Sequence, residues 1–227
     1  MTALSRFWAI LAAPNRVFDD IREGRVGWKQ PWLLVSIPYM LVTYLSLPIQ
    51  RVLVELNDKN LTPDQLDKQL EIMDKLSFLW VLMAPLGVLA VTLVLAGVSY
   101  LVVTMMSERA TFKQYLSLSL FTGIIGIIGQ FIAIVMLRLR GIDQIMTADD
   151  ARISFSLRVF APAGSPVLKG FLGSFEFFTL WGFVVLVLGL SRVFGLRRGQ
   201  AIAVLVPIWI IYVGMLVAGE VFGGMGQ

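Results

Sequence analysis

Five long apolar stretches alternate with short polar segments along the chain, and this pattern predicts the architecture. A helix needs about 20 mostly apolar residues to cross the ~30 Å hydrocarbon core of a bilayer, and five windows satisfy this condition. They cover residues 31–49, 76–106, 115–137, 171–194 and 201–218. The pattern therefore predicts an all-α integral membrane protein with five transmembrane helices, in a membrane domain over residues 31–219. Residues 220–227 would form a short C-terminal tail.

The first thirty residues are predicted to be a cytoplasmic or interfacial segment with short helices. The apolar residues of its first half recur at helical spacing and would line one side of a helix at the membrane surface. They are Leu4, Phe7, Trp8, Ile10 and Leu11. Pro14 would open a second short helix that Gly24 ends. Its apolar face consists of Val17, Phe18 and Ile21. The apolar run at 7–13 is too short for a cleaved signal peptide, so the first span would be an uncleaved anchor.

The connections between spans differ in kind. Residues 107–114 form a tight basic turn, which includes Arg109, and Thr111 and Gln114 fit a capping box for the third span. Thr62 and Pro63 fit the cap and first position of an outer helix that would run straight into the second span.

Two outer segments could contact a partner. On the outer helix, Leu66, Leu70 and Met73 repeat at helical spacing, so they either dock a partner or pack as a cap over the bundle. Residues 153–159 alternate apolar and polar side chains, which predicts a strand-like segment. That segment could extend a partner's sheet or lie on the lipid surface.

Composition narrows the function. Hydrophobic residues make up 57% of the chain and charged residues 15%, whereas soluble domains have ~25% charged residues. Cysteine and histidine are absent, which excludes Cys/His zinc sites, thiol nucleophiles and Ser-His-Asp triads. No phosphate-binding Walker loop is present, and the charges are not gathered on one basic face as nucleic-acid binding requires. We therefore predict a non-enzymatic protein without a cofactor, metal or nucleic-acid partner.

Charge also predicts the orientation, although Lys and Arg residues are divided almost equally between the two sides. The two tight turns, at 107–114 and 195–200, are compact and basic, and the last residues after 219 contain no Lys or Arg. Since basic loops stay in the cytoplasm, we predict a cytoplasmic N-terminus and an outer C-terminus.

A few polar and small residues inside the spans are site candidates. Glu176 would lie about two turns inside the fourth span, where a charge is costly, and Gln130 lies in the third span. Each is either a functional group or a polar contact between helices. The remaining candidates are small residues that would let helices approach closely. They are Gly123, Gly126, Gly129, Gly214 and Ala218. Pro38, Pro85 and Pro207 would interrupt hydrogen bonding inside three spans.

Three stretches carry a resemblance to a known family. They are RFWAILAAPNRVFDDIREG followed by Trp28 and Pro31, then SERATFKQYLSLSLFTG, and then FFTLWGFVVLVLGLSRVFGLRRGQA. Their order and spacing resemble the bacterial branch of the Yip (Ypt-interacting protein) domain family of integral membrane proteins, although Glu176-Phe177 and the longer outer loops depart from that pattern. The resemblance implies five spans, a cytoplasmic N-terminus and no catalytic activity. It also implies scaffolding, because eukaryotic members interact with small GTPases and some bacterial members accompany multi-component ATP-driven exporters.

The sequence therefore predicts an accessory subunit of the bacterial inner (cytoplasmic) membrane. Its partners would be membrane lipids and other integral membrane proteins, in particular an ABC-type permease and its ATPase. The alternative is a small stand-alone transporter or channel that uses Glu176 and Gln130 in a polar pathway.

Overall fold

Helices account for most of the chain. The computed structural model describes residues 1–57, 62–107, 110–147, 149–162 and 164–224, so that Arg109 and the last three residues of the predicted tail lie outside the described residues. The α-helices of the described part are α1 (Ala3–Ala12), α2 (Pro14–Arg22), α3 (Lys29–Asn57), α4 (Pro63–Met106), α5 (Phe112–Arg140), α6 (Pro166–Gly173), α7 (Phe177–Phe194) and α8 (Arg198–Gly224).

Five of these helices, α3, α4, α5, α7 and α8, are long and apolar enough to cross a membrane. This confirms the predicted fold class. The longest, α4, has 44 residues and is therefore about 66 Å long, more than twice the ~30 Å hydrocarbon core. Its polar first part is continuous with its apolar part, as the sequence predicts for the outer helix and the second span.

Two short helices occur in the N-terminal segment, and the second begins at Pro14 as predicted. The Thr2 side chain accepts a hydrogen bond from the Ser5 backbone amide and caps α1, while Pro14 occupies the first position of α2. Gly24 has a φ of +70°, a conformation that glycine adopts without a Cβ penalty. The chain can therefore turn sharply after α2 and enter α3.

The region before α7 differs from the prediction in two ways. The fourth span was predicted from residue 171, but α6 ends at Gly173 and α7 begins at Phe177. The predicted strand-like segment is also wrong, because it contains a 3₁₀ helix, Leu157–Phe160. The Ser156 side chain accepts from the Arg158 backbone amide and opens that turn, and the local sheet pairing is one isolated bridge between Ser156 and Glu176.

The last helix is longer than its predicted window. It starts at Arg198 and continues to Gly224, so the described part of the predicted tail belongs to α8. Pro38, Pro85 and Pro207 lie inside α3, α4 and α8. Each removes one backbone donor, but the helix continues on both sides of each proline.

The chain divides into two compact units. Unit 1 comprises residues 1–35, 89–126 and 154–227, and unit 2 comprises residues 36–88 and 127–153. The core of unit 1 contains fully buried side chains from its two N-terminal helices, α5 and α7. Examples are Val17, Phe18, Leu118, Phe121 and Leu190. Unit 2 has its own cluster, in which Ile49, Leu137 and Ile145 are buried.

Candidate assembly site

An apolar stripe on α4 is the first element of the candidate site. It consists of Val91, Val94, Val98, Leu101 and Met105, which we call the α4 stripe, and all five are exposed. Leu101 is 66% exposed and Met105 is 86% exposed. The successive spacings of three and four residues keep the stripe on one face, as in left-handed helix packing. Ala96, Ser99 and Val103 of the same helix are buried instead.

A buried ion-pair network joins the N-terminal helices. Nε and Nη2 of Arg6 donate to Oδ2 of Asp20 at 2.8 Å each, and Nη1 donates to the Gln30 side chain at 2.6 Å. Nε of Arg25 donates to the other Asp20 oxygen at 2.8 Å. We call Arg6, Asp20, Arg25 and Gln30 the N-terminal clamp. The side chains of Arg6 and Asp20 are only 8% and 7% exposed, so the clamp holds α1 against α2 through a desolvated pair.

The clamp changes the ionisation of its acid. Burial works to raise the pKa of Asp20, but the hydrogen bonds and positive charges of Arg6 and Arg25 outweigh it and hold the pKa below its ordinary value. Asp20 is therefore ionised at neutral pH, as a pairing with two guanidinium groups requires.

The second N-terminal helix is fixed to the membrane helices of unit 1. Its Phe18 side chain is fully buried, and Gly189 of α7 leaves the space that this ring needs, because a Cβ there would lie 3.1 Å from Phe18 Cε1. Arg192 of α7 donates through two nitrogens to the Asp19 carboxylate, which lowers the pKa of Asp19. The interfacial helices are thus anchored to α7 by both apolar and charged contacts.

The turn before α5 completes this anchorage. Thr111 accepts from the Gln114 backbone amide at 3.4 Å, which is the first half of the predicted capping box. The Oε1 of Gln114 accepts from the Thr111 hydroxyl at 2.8 Å. Its Nε2 donates to the carbonyls of Ile21 and Arg22 at the end of α2, so that this side chain joins α5 to α2.

Glu176 is not inside a span, contrary to the prediction. It is the N-cap of α7, where its carboxylate accepts from the Thr179 backbone amide at 2.7 Å and from the Thr179 hydroxyl at 2.8 Å. A carboxylate at a helix N-terminus satisfies an otherwise unpaired amide and interacts favourably with the helix dipole. The break between α6 and α7 places it there, and that break was not foreseen from the continuous hydrophobicity of the window.

The other intramembrane candidate belongs to unit 2. Gln130 is exposed and lines a cavity of about 830 Å³ between α3, α4 and α5. Glu176 and Gln130 therefore occur in different units of the chain.

The outer-helix candidates face inwards to different degrees. Leu70 is buried, while Leu66 and Met73 are half-buried. Met73 also lines the unit 2 cavity. This placement favours the interpretation as a packed cap, and a partner contact by these residues remains a prediction.

Three of the five small residues chosen from spacing have open space where a side chain would lie. Gly123 and Gly126 are exposed and line a crevice of about 300 Å³ in unit 1, and a Cβ on either would meet nothing within 4 Å. The same holds for Gly214 of α8. Gly129 is buried and Ala218 is half-buried.

The close helix approaches occur at other glycines. A Cβ on Gly170 of α6 would lie 2.6 Å from the Val217 Cα of α8, and one on Gly189 would lie 2.4 Å from a Leu118 methyl. Neither glycine belongs to a regular small-residue repeat with its partner, so sequence spacing gives no signal for them.

Sequence reasoning also missed a charged cluster at the end of α8. Glu220 pairs with Arg158 and lies 3.9 Å from Lys169 Nζ, and its side chain is only 13% exposed. The available signal was an acid at the end of an apolar helix, which is costly unless it is paired. Among the described residues, no group of three or more acidic side chains is arranged to hold a metal ion.

Comparisons with known proteins give the chain a family. It is 25% identical over 224 residues to the membrane protein YknW of Bacillus subtilis, an alignment that covers 96% of this chain and 89% of that protein. No solved structure matches the chain. The Yip1 domain matches residues 8–219, which include α1 from Trp8 onward, α2, and the five long helices except the last five residues of α8. The chain is therefore a multi-span membrane protein that belongs to the Yip1 domain family.

Proposed function

We propose that this chain is a non-enzymatic accessory subunit that assembles with other membrane proteins, namely the permease and ATPase of a multi-component ATP-driven exporter. We place it in the bacterial inner membrane, with a cytoplasmic N-terminus and an outer C-terminus. The α4 stripe would contact the permease, and the N-terminal helices would face cytoplasmic components.

The observation that carries this proposal is the exposure of α4. All five residues of the α4 stripe are exposed, by 45% to 86% of their surface, although α4 is the longest helix of the described chain. Association between helices in lipid depends on van der Waals packing rather than on the hydrophobic effect. A face with regular three- and four-residue spacing, such as the α4 stripe, suits a partner helix.

The N-terminal helices support the cytoplasmic part of the proposal. Leu4 and Trp8 of α1 are exposed, while the charged Arg6 of the same helix is buried in the N-terminal clamp. A helix with outward-facing Leu and Trp is suited to the membrane surface. The anchorage of α2 to α5 and α7 would hold this surface at a fixed place beside the basic turns.

Site-specific photocrosslinking tests the proposal. A benzophenone side chain would replace Leu101 or Met105 in the full-length protein, in cells that express the exporter. Ile210 of α8 is the matched control, because it is 60% exposed and Leu101 is 66% exposed. We expect adducts that contain the permease from Leu101 and Met105 but not from Ile210.

Two results would contradict the proposal. One is the same yield of permease adducts from Ile210, which would mean that contact is unspecific. The other is adducts that contain only this chain, which would make the α4 stripe a contact between copies. Co-purification of the permease and ATPase with the solubilised protein gives an independent measure of the same assembly.

The alternative, a stand-alone transporter, has less support from the geometry. It requires Glu176 in a polar pathway, whereas both hydrogen bonds of its carboxylate hold the start of α7. Substrate uptake by the purified protein in liposomes, abolished by Glu176→Gln, would favour the transporter over the accessory subunit.

A further inference from the structure

Two short helices that precede α7 in unit 1 turn their charged side chains inwards. They are the 3₁₀ helix Leu157–Phe160 and α6, which contact each other, and we call them the paired short helices. Arg158 pairs with Glu220 of α8, and Lys169 Nζ lies 3.9 Å from the same carboxylate. The Arg158 and Lys169 side chains are 16% and 32% exposed. The paired short helices contain no other charged residue.

The outward face of the paired short helices is apolar instead. Phe160 is 76% exposed and Val159 is 69% exposed. The exposed apolar side chains are Leu157, Val159, Phe160, Val167, Leu168 and Phe171. A segment in contact with water usually has its Lys and Arg side chains outside and its large apolar side chains inside. Here this arrangement is reversed, as is suitable for a surface that contacts an apolar medium.

The length of α8 indicates how deep the paired short helices lie in the bilayer. Residues 199–219 contain no Asp, Glu, Lys or Arg, and the rise from Arg198 to Glu220 is about 33 Å. This rise matches the ~30 Å hydrocarbon core, so Arg198 and Glu220 mark its two edges. A Cβ on Gly170 of α6 would lie 2.6 Å from the Cα of Val217, less than one turn before Glu220. Therefore α6 meets α8 at the edge of the hydrocarbon core.

The start of α7 is consistent with the same depth. This helix has 18 residues and rises about 27 Å, slightly less than the thickness of the core. Backbone groups beside the break before α7 are paired within the protein. The Leu157 amide donates to the Phe175 carbonyl at 3.4 Å, and the Phe177 amide donates to the Phe155 carbonyl at 3.1 Å. Non-helical backbone at membrane depth requires such internal partners.

We propose that the paired short helices insert their apolar face into the bilayer leaflet that contains the C-terminal end of α8. The exposed side chains contact acyl chains just below the headgroups, whereas Arg158 and Lys169 pair with Glu220 inside the protein. A charge that faces hydrocarbon is costly, and these pairs keep charge off the lipid-facing surface. Lipid rather than a partner protein is the occupant, because this face continues the surface of α8 at the edge of the core. The proposal does not depend on assembly with an exporter.

Spin labels on single introduced cysteines test this insertion. The chain contains no cysteine, so one label can be placed at Val159 or Val167 of the full-length protein, which is purified and reconstituted in vesicles of phosphatidylethanolamine and phosphatidylglycerol. Oxygen partitions into hydrocarbon, whereas a polar nickel chelate stays in water. The ratio of their collision rates with the label therefore reports the medium around it.

Two positions of similar exposure serve as references. Ile210 of α8 is 60% exposed and lies in the middle of an apolar span, so it is the lipid reference. Ile72 is 57% exposed, as is Val167, and lies in the charged first part of α4, so it is the water reference. We expect Val159 and Val167 to resemble Ile210. Their ratio of oxygen to nickel collision rates should exceed that of Ile72 by about threefold or more, because the chelate is excluded from hydrocarbon.

Two results would overturn the inference. A ratio at Val159 and Val167 as low as that at Ile72 would place the apolar face in water. Low collision rates for both reagents would mean that protein covers this face, either another part of the chain or a second copy. Since the protein is reconstituted alone, neither result depends on whether it assembles with an exporter.

A second pair of variants tests the role of the inward charges. Glu220→Gln removes the charge that Arg158 and Lys169 share, so the basic side chains should move towards water and carry the helices with them. The ratio at Val167 should then fall towards that of Ile72. Glu23→Gln is the matched control, because Glu23 pairs with Arg25 at 2.6 Å but its side chain is 45% exposed, and it should leave the ratio unchanged.

An unchanged ratio in folded Glu220→Gln would overturn the role of the ion pairs in insertion. If Glu220→Gln does not fold, as shown by its thermal transition, the labels in the chain with its natural charges still decide between lipid, water and a protein contact.

Discussion

The N-terminal clamp makes a quantitative prediction, because its acid, Asp20, is buried whereas the neighbouring Asp19, outside the clamp, is partly exposed. Asp20→Asn keeps the shape of the side chain and removes its charge, which leaves the buried Arg6 guanidinium without a counter-ion. Both Asp20 oxygens accept from guanidinium nitrogens at 2.8 Å. Loss of one member of a buried pair costs about 3–5 kcal/mol, and each 1.36 kcal/mol is a factor of ten. Local opening of α1 should therefore become more frequent by a factor of a hundred or more, about 150 to 5,000.

Hydrogen exchange of the α1 backbone amides in the purified, detergent-solubilised protein measures this opening directly. Asp19→Asn is the matched control, because it removes the charge of the adjacent acid. Asp19 pairs with Arg192, and their side chains are 27% and 48% exposed, respectively. Exposed pairs contribute little, so we expect exchange in α1 to change by less than about fivefold. The double variant Arg6→Met with Asp20→Leu should recover most of the protection, since apolar replacement of a whole buried pair is often neutral.

The result that would refute this reasoning is specific. If Asp20→Asn and Asp19→Asn accelerate α1 exchange by the same small factor, the clamp does not hold α1. If the double variant exchanges as fast as Asp20→Asn, the lost protection of the α1 amides comes from the changed shape of the side chains rather than from the unpaired charge.

Three further predictions concern unit 1. Gly170→Ala should destabilise the protein by about 1–3 kcal/mol, because the added Cβ would meet the α8 backbone at 2.6 Å. Gly214→Ala adds a Cβ with nothing within 4 Å and should be neutral or slightly stabilising. Thermal unfolding in detergent compares the stabilities of the two variants. Glu176→Ala should cost about 0.5–2 kcal/mol through the lost cap, whereas Glu176→Gln keeps an acceptor for the Thr179 amide and should cost less in the same assay. The stabilisation by the clamp should also depend on pH, because the pKa of Asp20 is lower in the folded protein than its ordinary value of 3.8. The contribution of Asp20 to stability is therefore complete above about pH 4 and is lost as the pH falls through the pKa of the folded protein. The stability difference between wild type and Asp20→Asn should therefore shrink from pH 6 to pH 3, and a constant difference would contradict the pairing.

The sequence predicts the helices better than their contacts, for a physical reason. The thickness of the bilayer sets the length of the apolar run that a span needs, and residues at helix ends such as Pro14 and Gly24 act within one turn of the chain. Both features can therefore be recognised in a short stretch of sequence. The break before α7 was missed because residues 171–175 are as apolar as a span, and the cap that starts α7 is a glutamate rather than the expected Ser, Thr, Asp or Asn.

Contacts between distant residues could not be read in this way. Arg6 and Asp20 are 14 residues apart, and Arg158 and Glu220 are 62 apart. Arg6 and Glu220 are isolated charges in apolar stretches, and the cost of burying such a charge predicts that a partner exists but not which residue it is. The same applies to Gly170, whose close neighbour on α8 is set by the tertiary fold.

These pairs also bear on how the protein would associate with others. The charged contacts of unit 1 hold its peripheral segments, since Arg6 and Asp20 fix α1 while Arg158 and Glu220 fix the segment before α6. The part of α4 in unit 1, residues 89–106, contains no Asp, Glu, Lys or Arg, so the α4 stripe has no charge to offer a partner. Association through it would have to depend on side-chain shape and van der Waals contact, and would therefore be insensitive to salt. An assembly that dissociates at high ionic strength would instead be held by the basic turns and the N-terminal helices.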